Sequence, residues 1–101
     1  LAEEGELILK ELRGFVFVLA VEGGEMASEA FAARIKQQCD AGRELTFVIG
    51  SSCGLCDKVK EKADCLLSFS RMTFPHQLMR VILCEQIYRS FMINAGAEYH
   101  K

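Results

Sequence analysis

Residues 15–21 read Phe-Val-Phe-Val-Leu-Ala-Val, seven consecutive apolar side chains with no polar residue among them. Alternating apolar and polar residues would mark a strand with one face in water. An unbroken β-branched and aromatic run of this length marks a strand covered on both faces. Such a strand belongs inside a mostly parallel sheet with helices above and below, so this one segment decides the fold class. Residues 45–49, Leu-Thr-Phe-Val-Ile, predict a second short buried strand, and residues 65–69 a third.

Helical patterns separate these runs. Leu7, Ile8 and Leu12 share one face of a helix over 3–12, which Gly14 ends. Ser28 is placed to cap a helix over 29–41, with Phe31, Ile35 and Cys39 recurring every four residues and Gly42 as the stop. A short helix is expected over 56–63 and a long one over 76–93, ended by Asn94 to Gly96. The order α-β-α-β-α-β-α predicts an α/β fold. Ligands in such folds sit beyond the carboxyl ends of the strands, here the loops 22–25, 50–54 and 70–75.

With 101 residues, half of them hydrophobic and about a quarter charged, the chain makes one small globular domain rather than a disordered tail. It starts at Leu1 within a helical pattern, so an N-terminal portion is expected to precede it. No basic start leads into an apolar run, which argues against a signal peptide. Arg80, Glu85 and Arg89 interrupt the most apolar stretch, so no membrane span is expected. The net charge of −2 gives no general support for nucleic-acid binding. Its distribution is uneven. Beyond residue 70 stand Arg71, Arg80, Arg89, Lys101 and both histidines against only Glu85 and Glu98.

Five cysteines, an odd number, read as reduced thiols in a cytoplasmic protein. Cys53-Gly54-Leu55-Cys56 follows a buried strand and opens a helix, the setting of a thiol–disulfide redox pair. Against that reading, Pro75 leads into a helix rather than a strand. A zinc site needs about four ligands and no second Cys-x-x-Cys is present, so no metal is expected. The turn Gly50-Ser51-Ser52-Cys53-Gly54 allows a ligand close to the backbone, but it matches neither a dinucleotide fingerprint nor a P-loop.

The last helix is apolar round most of its circumference. His76 and Arg80 fall on one side, and Glu85 and Arg89 almost opposite. A helix of this kind must be covered on more than one face. The sheet is expected to supply one cover and a second copy of the chain the other, giving a homodimer through this helix.

Phe74-Pro75-His76, Arg80, Glu85-Gln86-Ile87-Tyr88-Arg89 and the terminal Tyr99-His100-Lys101 together resemble the signature of the RlmH-type large-subunit rRNA pseudouridine methyltransferases of the SPOUT superfamily. The likeness extends upstream through Phe47-Val48-Ile49-Gly50 to the strand holding Leu19, and it is most specific in the last 35 residues. It implies a deep C-terminal trefoil knot, which no pattern of residues would suggest alone, and an opening strand and helix that are expected to be missing from the residues given. It implies S-adenosylmethionine as methyl donor, S-adenosylhomocysteine as product, and ring nitrogen 3 of a pseudouridine in ribosomal RNA as acceptor. Carried over residue by residue, the donor would be held by Leu19, Gly50, Phe69, Ser70, Arg71, Met72, Thr73 and Phe74. The acceptor side would use His76, Arg80, Arg89, Tyr99 and His100. Ser51 stands where the family usually has a second glycine. Two other readings stay open: the redox module at Cys53 and Cys56, and a shortened remnant that folds without turnover.

Overall fold

A computed structural model of the chain describes residues 12–49 and 57–97. Of the helix expected at 3–12 only Leu12 is described, and it carries no regular structure. The described elements are β1 (Phe15–Gly24), α1 (Ser28–Asp40), β2 (Leu45–Ile49), α2 (Asp57–Glu61), β3 (Cys65–Leu67) and α3 (His76–Asn94). The three strands form one sheet in the order β2-β1-β3, and both pairings are parallel.

β1 is the central strand because both of its faces are apolar. Phe15, Phe17 and Leu19 point to one side and join Phe31 and Ile35 of α1, Leu67 of β3 and Leu83 of α3. Val16 and Val18 point to the other and join Val48 of β2 and Val59 of α2. Helices therefore cover both faces, as the unbroken run requires. Phe17 has no exposed surface. It stacks on Phe47 with centroids 5.0 Å apart and meets Phe31 edge-on at 5.4 Å. Such ring pairs contribute about 0.5–1.5 kcal/mol each beyond burial.

Polar groups fix the register. The Val16 N–H donates to Asp64 Oδ2, and the Asp64 N–H donates to the Val16 carbonyl, both at 2.8 Å. Thr46, the polar residue in β2, donates its hydroxyl to the Arg13 carbonyl at 2.7 Å. After α1, Gly42 (φ 75°) turns the chain, with Gly42 N–H bonded to the Cys39 carbonyl and Arg43 N–H to that of Gln38.

Four details depart from the sequence expectation. β1 runs on to Gly24 instead of giving way to a loop at 22, because Leu67 pairs first with Leu19 and, past an irregularity, again with Gly24. Gly23 there lies so close to β3 that an added Cβ would stand 2.7 Å from the Leu66 carbonyl oxygen. β3 stops at Leu67, two residues early, where the buried Ser68 turns its hydroxyl to the Ser70 carbonyl at 2.9 Å. Ser28 is not the cap of α1: Ala27 is, without a side-chain bond, while the Ser28 hydroxyl donates to Gln86 Oε1 of α3 at 2.6 Å.

The fourth departure concerns α3, whose main cover is α1 rather than the sheet. Asn94 Nδ2 donates to the Ala32 carbonyl at 3.0 Å and the Ser28–Gln86 bond ties the other end. Leu83, flanked by Met79 and Ile87, reaches the core shared with the sheet. The buried Ser90 satisfies its hydroxyl on the Gln86 carbonyl one turn back, at 2.8 Å. The opposite face of α3 carries large apolar side chains with much of their surface exposed: Leu78, Val81, Tyr88 and Phe91.

Candidate functional site

The sheet brings the carboxyl ends of its strands together. Leu19, buried at the centre, is level with Ile49 at the end of β2 on one side and Leu67 at the end of β3 on the other. Of the three stretches singled out from the sequence, 22–25 is mostly the extended tail of β1, and 70–75 leaves beside it after β3. The third, with Gly50, begins directly after Ile49; Gly50 itself lies outside the described residues, as do Cys53 and Cys56 of the redox reading.

Residues 69–74 form the loop leaving β3. The Ser70 hydroxyl accepts the Met72 N–H at 3.0 Å, and the Ser70 carbonyl takes the Ser68 hydroxyl. Serine at these two positions curls the loop back on itself. Phe69 anchors it by packing against the core. Met72 is 72% exposed, and Arg71 and Thr73 are also in solvent. The backbone of 69–74 belongs to no helix or strand ladder. Among the described residues, the Met72 N–H is the one amide of 69–74 bonded within the chain, and unbonded loop amides turn to a ligand or to water.

Two carboxylates stand at the same end of the sheet. Glu22 Oε1 is 2.5 Å from Lys60 Nζ of α2, and this bond holds the Glu22 carboxyl below the usual carboxylate range. Glu25 has a long contact with Arg71, 3.9 Å, between two well-exposed side chains. Glu22, Lys60 and Gly23 were not singled out as site residues from the sequence. The Gly23-Gly24 pair was the available signal for a close backbone approach.

The expected acceptor-side residues divide into groups. His76 opens α3 directly after the 69–74 loop, and Arg80 follows one turn on, exposed, with Nη1 3.4 Å from Gln77 Oε1. Arg89 lies far down the same helix. At 1.5 Å rise per residue it is roughly 20 Å along the axis from His76. It makes a two-pronged bond to Glu85 Oε1, at 2.9 Å from Nε and 2.6 Å from Nη2, the i,i+4 pair that the spacing suggests. One chain does not bring His76 and Arg89 to a common point. Tyr99 and His100 lie outside the described residues.

Between the start of α1, the end of β3 and α3 lies an open cleft of about 290 Å³, with Phe69 as its link to the 69–74 loop. Among the described residues no group of three or more His, Cys, Asp or Glu side chains could hold a metal ion. No described helix is long and apolar enough to cross a membrane. Cys65 is buried, which pushes its thiol pKa up, with Arg34 acting weakly against the shift.

Comparison with known proteins gives the same direction. The family described as "Predicted SPOUT methyltransferase" matches residues 1–100. A protein of Levilactobacillus brevis named Ribosomal RNA large subunit methyltransferase H is 52% identical over 104 residues, covering 100% of this chain and 65% of its own length. Its namesake in Bifidobacterium animalis subsp. lactis is 59% identical over 102 residues, covering 98% of this chain and 64% of its own. That of Streptococcus gordonii is 52% identical over 104 residues. The chain thus spans about 65% of the length of the curated relatives it matches.

Proposed function

The chain belongs to the SPOUT methyltransferase family, and from that premise we propose that it transfers a methyl group from S-adenosylmethionine to large-subunit ribosomal RNA, at ring nitrogen 3 of a pseudouridine. The observation that carries the reading is the convergence of strand ends around Leu19, with the curled, hydrogen-bond-poor backbone of 69–74 leaving the same end of the sheet. A bent, cationic donor fits such a place. Free backbone amides and carbonyls suit an adenine edge and an amino-acid tail.

Leu19, Gly50 and Phe69 to Phe74 would hold the donor. Bound there, S-adenosylmethionine supplies an activated methyl group on sulfur and is left as S-adenosylhomocysteine. The chain's own residues supply position and charge. The acceptor nitrogen must lose its proton, and a cation nearby stabilises the anion that forms. His76 and Arg80 stand at the start of α3, where the helix dipole adds positive potential. The His76 imidazole would take the proton, and Arg80 would face the ring oxygens or a phosphate. Tyr99, His100 and Arg89 are assigned to the RNA.

The chain is further proposed to be a cytoplasmic homodimer, joined through the exposed apolar face of α3. Leu78, Val81 and Phe91 support this, since large apolar side chains exposed along one helix face need a cover. A trefoil knot is proposed as well. Its support is the close approach at Gly23, where the tail of β1 lies beside β3 just before residues 69–75 turn away.

Isothermal titration with S-adenosylhomocysteine tests the donor site. Saturable heat with one site per chain is expected, weakened by substitutions at Phe69 or Phe74. Absence of any heat at high protein concentration overturns the proposal.

A further inference from the structure

The cleft between α1 and α3 lies on the β3 side of the sheet and, among the described residues, shares only Phe69 with the proposed donor residues. Its floor is apolar, built by Leu67, Phe31 and Ile82. Its polar groups are specific in kind. Gln86 Oε1 is occupied by the Ser28 hydroxyl, so the Gln86 amide end left over is a donor. The Ser28 and Ser68 hydroxyls both give their protons to protein acceptors, Gln86 Oε1 and the Ser70 carbonyl, which leaves their lone pairs. The Glu25 carboxylate accepts only, and among the described residues no lysine, arginine or histidine lines the cleft. The cleft therefore has no cationic side chain among its described lining residues to clamp a phosphate. The cleft asks for a flat, apolar-faced ligand that carries several N–H donors and one acceptor.

We propose that this cleft binds an unstacked nucleobase of the RNA substrate, guanine by preference; the inference rests on the RNA-methyltransferase reading above. A guanine edge offers two adjacent N–H groups for a carboxylate such as Glu25 and a carbonyl oxygen for the Gln86 amide. Uracil offers a single ring N–H to the same carboxylate. A volume of about 290 Å³ suits one base with part of its sugar and excludes a stacked pair. Sequence-specific RNA recognition commonly takes such splayed bases from single-stranded segments. The cleft thus supplies a specificity subsite beside the donor loop, reached through Phe69.

The test follows the Met26 and Ile82 methyl signals of the chain by NMR while guanosine, inosine or uridine is added at millimolar concentration, with S-adenosylhomocysteine titrated separately. Both methyls should shift with guanosine, at an apparent Kd about tenfold below that for uridine, with inosine between. Glu25→Gln should abolish the guanosine preference. Ala27→Phe, made at an exposed rim position, should fill the mouth and remove the shifts while homocysteine-product binding persists. If S-adenosylhomocysteine binds but neither methyl responds, or uridine binds as well as guanosine, the subsite is overturned and the donor reading stands. If S-adenosylhomocysteine does not bind, both are overturned.

Discussion

Replacing Gly23 by Ala probes the crossing on which the donor end of the sheet depends. The new Cβ would stand 2.7 Å from the Leu66 carbonyl oxygen and 2.7 Å from the Leu67 carbonyl carbon. Both are backbone atoms of β3, so no side chain can swing aside. Non-bonded carbons prefer about 3.5–4.0 Å, so the two segments must part by about 1 Å. Overpacking of this kind costs about 1–3 kcal/mol, and a backbone neighbour places the variant at the upper end. Gly24 is the internal control. Nothing lies within 4 Å of its added Cβ, and its φ is not positive. Gly24→Ala should only restrict the unfolded chain, a gain of about 0.4–1 kcal/mol. The two variants should therefore differ by about 3 kcal/mol, which at this size is more than about 10 °C in Tm. Urea and thermal unfolding followed by circular dichroism measure it. Gly23→Ala should also weaken S-adenosylhomocysteine binding, because parting the strands strains the Ser68 N–H bond to the Gly24 carbonyl at the root of the 69–74 loop. Unfolding of the two variants within about 0.5 kcal/mol of each other would refute the close approach.

Three further outcomes follow from the packing. Asp64→Ala leaves the N–H of buried Val16 without its 2.8 Å acceptor and should cost about 1–3 kcal/mol in urea unfolding; a neutral result removes Asp64 from the register argument. Cys39 is exposed and Cys65 buried with a raised thiol pKa, so a disulfide reagent at mildly alkaline pH should label Cys39 at once and Cys65 only on unfolding, and equal rates would contradict the core. The Glu22 carboxyl is held low by Lys60, so the folded chain binds fewer protons there than the unfolded chain in mild acid. The pair's contribution is fully present above about pH 5 and fades as pH falls through the carboxylate range, so Glu22→Gln should flatten that part of the stability curve.

What could be read from the chain beforehand was whatever depends on neighbours in sequence. The unbroken run at 15–21 fixed a central strand because both faces need cover, and Gly42 and Gly96 marked helix ends because their positive φ suits only glycine. What depends on distant partners was hidden. Glu22-Gly23-Gly24 has turn composition, and it stays extended only because Leu67, more than forty residues away, pairs with Gly24. Ser28 looks like a cap because nothing nearby announces Gln86, 58 positions on. The same holds at the site. The motif around Phe74-Pro75-His76 named residues but not their spacing in space, and the straight rod of α3 holds His76 and Arg89 apart.

That separation bears on how the proposed pair would work. The exposed apolar residues of α3 run from Leu78 to Phe91, and their midpoint falls between Cys84 and Glu85. A two-fold antiparallel pairing of this face with itself therefore passes its axis level with those residues. Arg80 of one chain then comes level with Arg89 of the other, so residues far apart in one protomer approach each other across the pair. Helix axes packed about 8–10 Å apart, with Cα atoms on cylinders of about 2.3 Å radius, bring facing Cα atoms to about 4–5 Å. That overlaps the separation of about 4.4–6.8 Å that a disulfide spans. Cys84 is exposed on this stretch and beside the axis. Mild oxidation should give a covalent dimer that Cys84→Ser abolishes and Cys39→Ser leaves intact. A dimer in solution that never cross-links through Cys84 would mean a different pairing, and a chain that sediments as a monomer throughout would leave His76 and Arg89 with no common substrate base to act on.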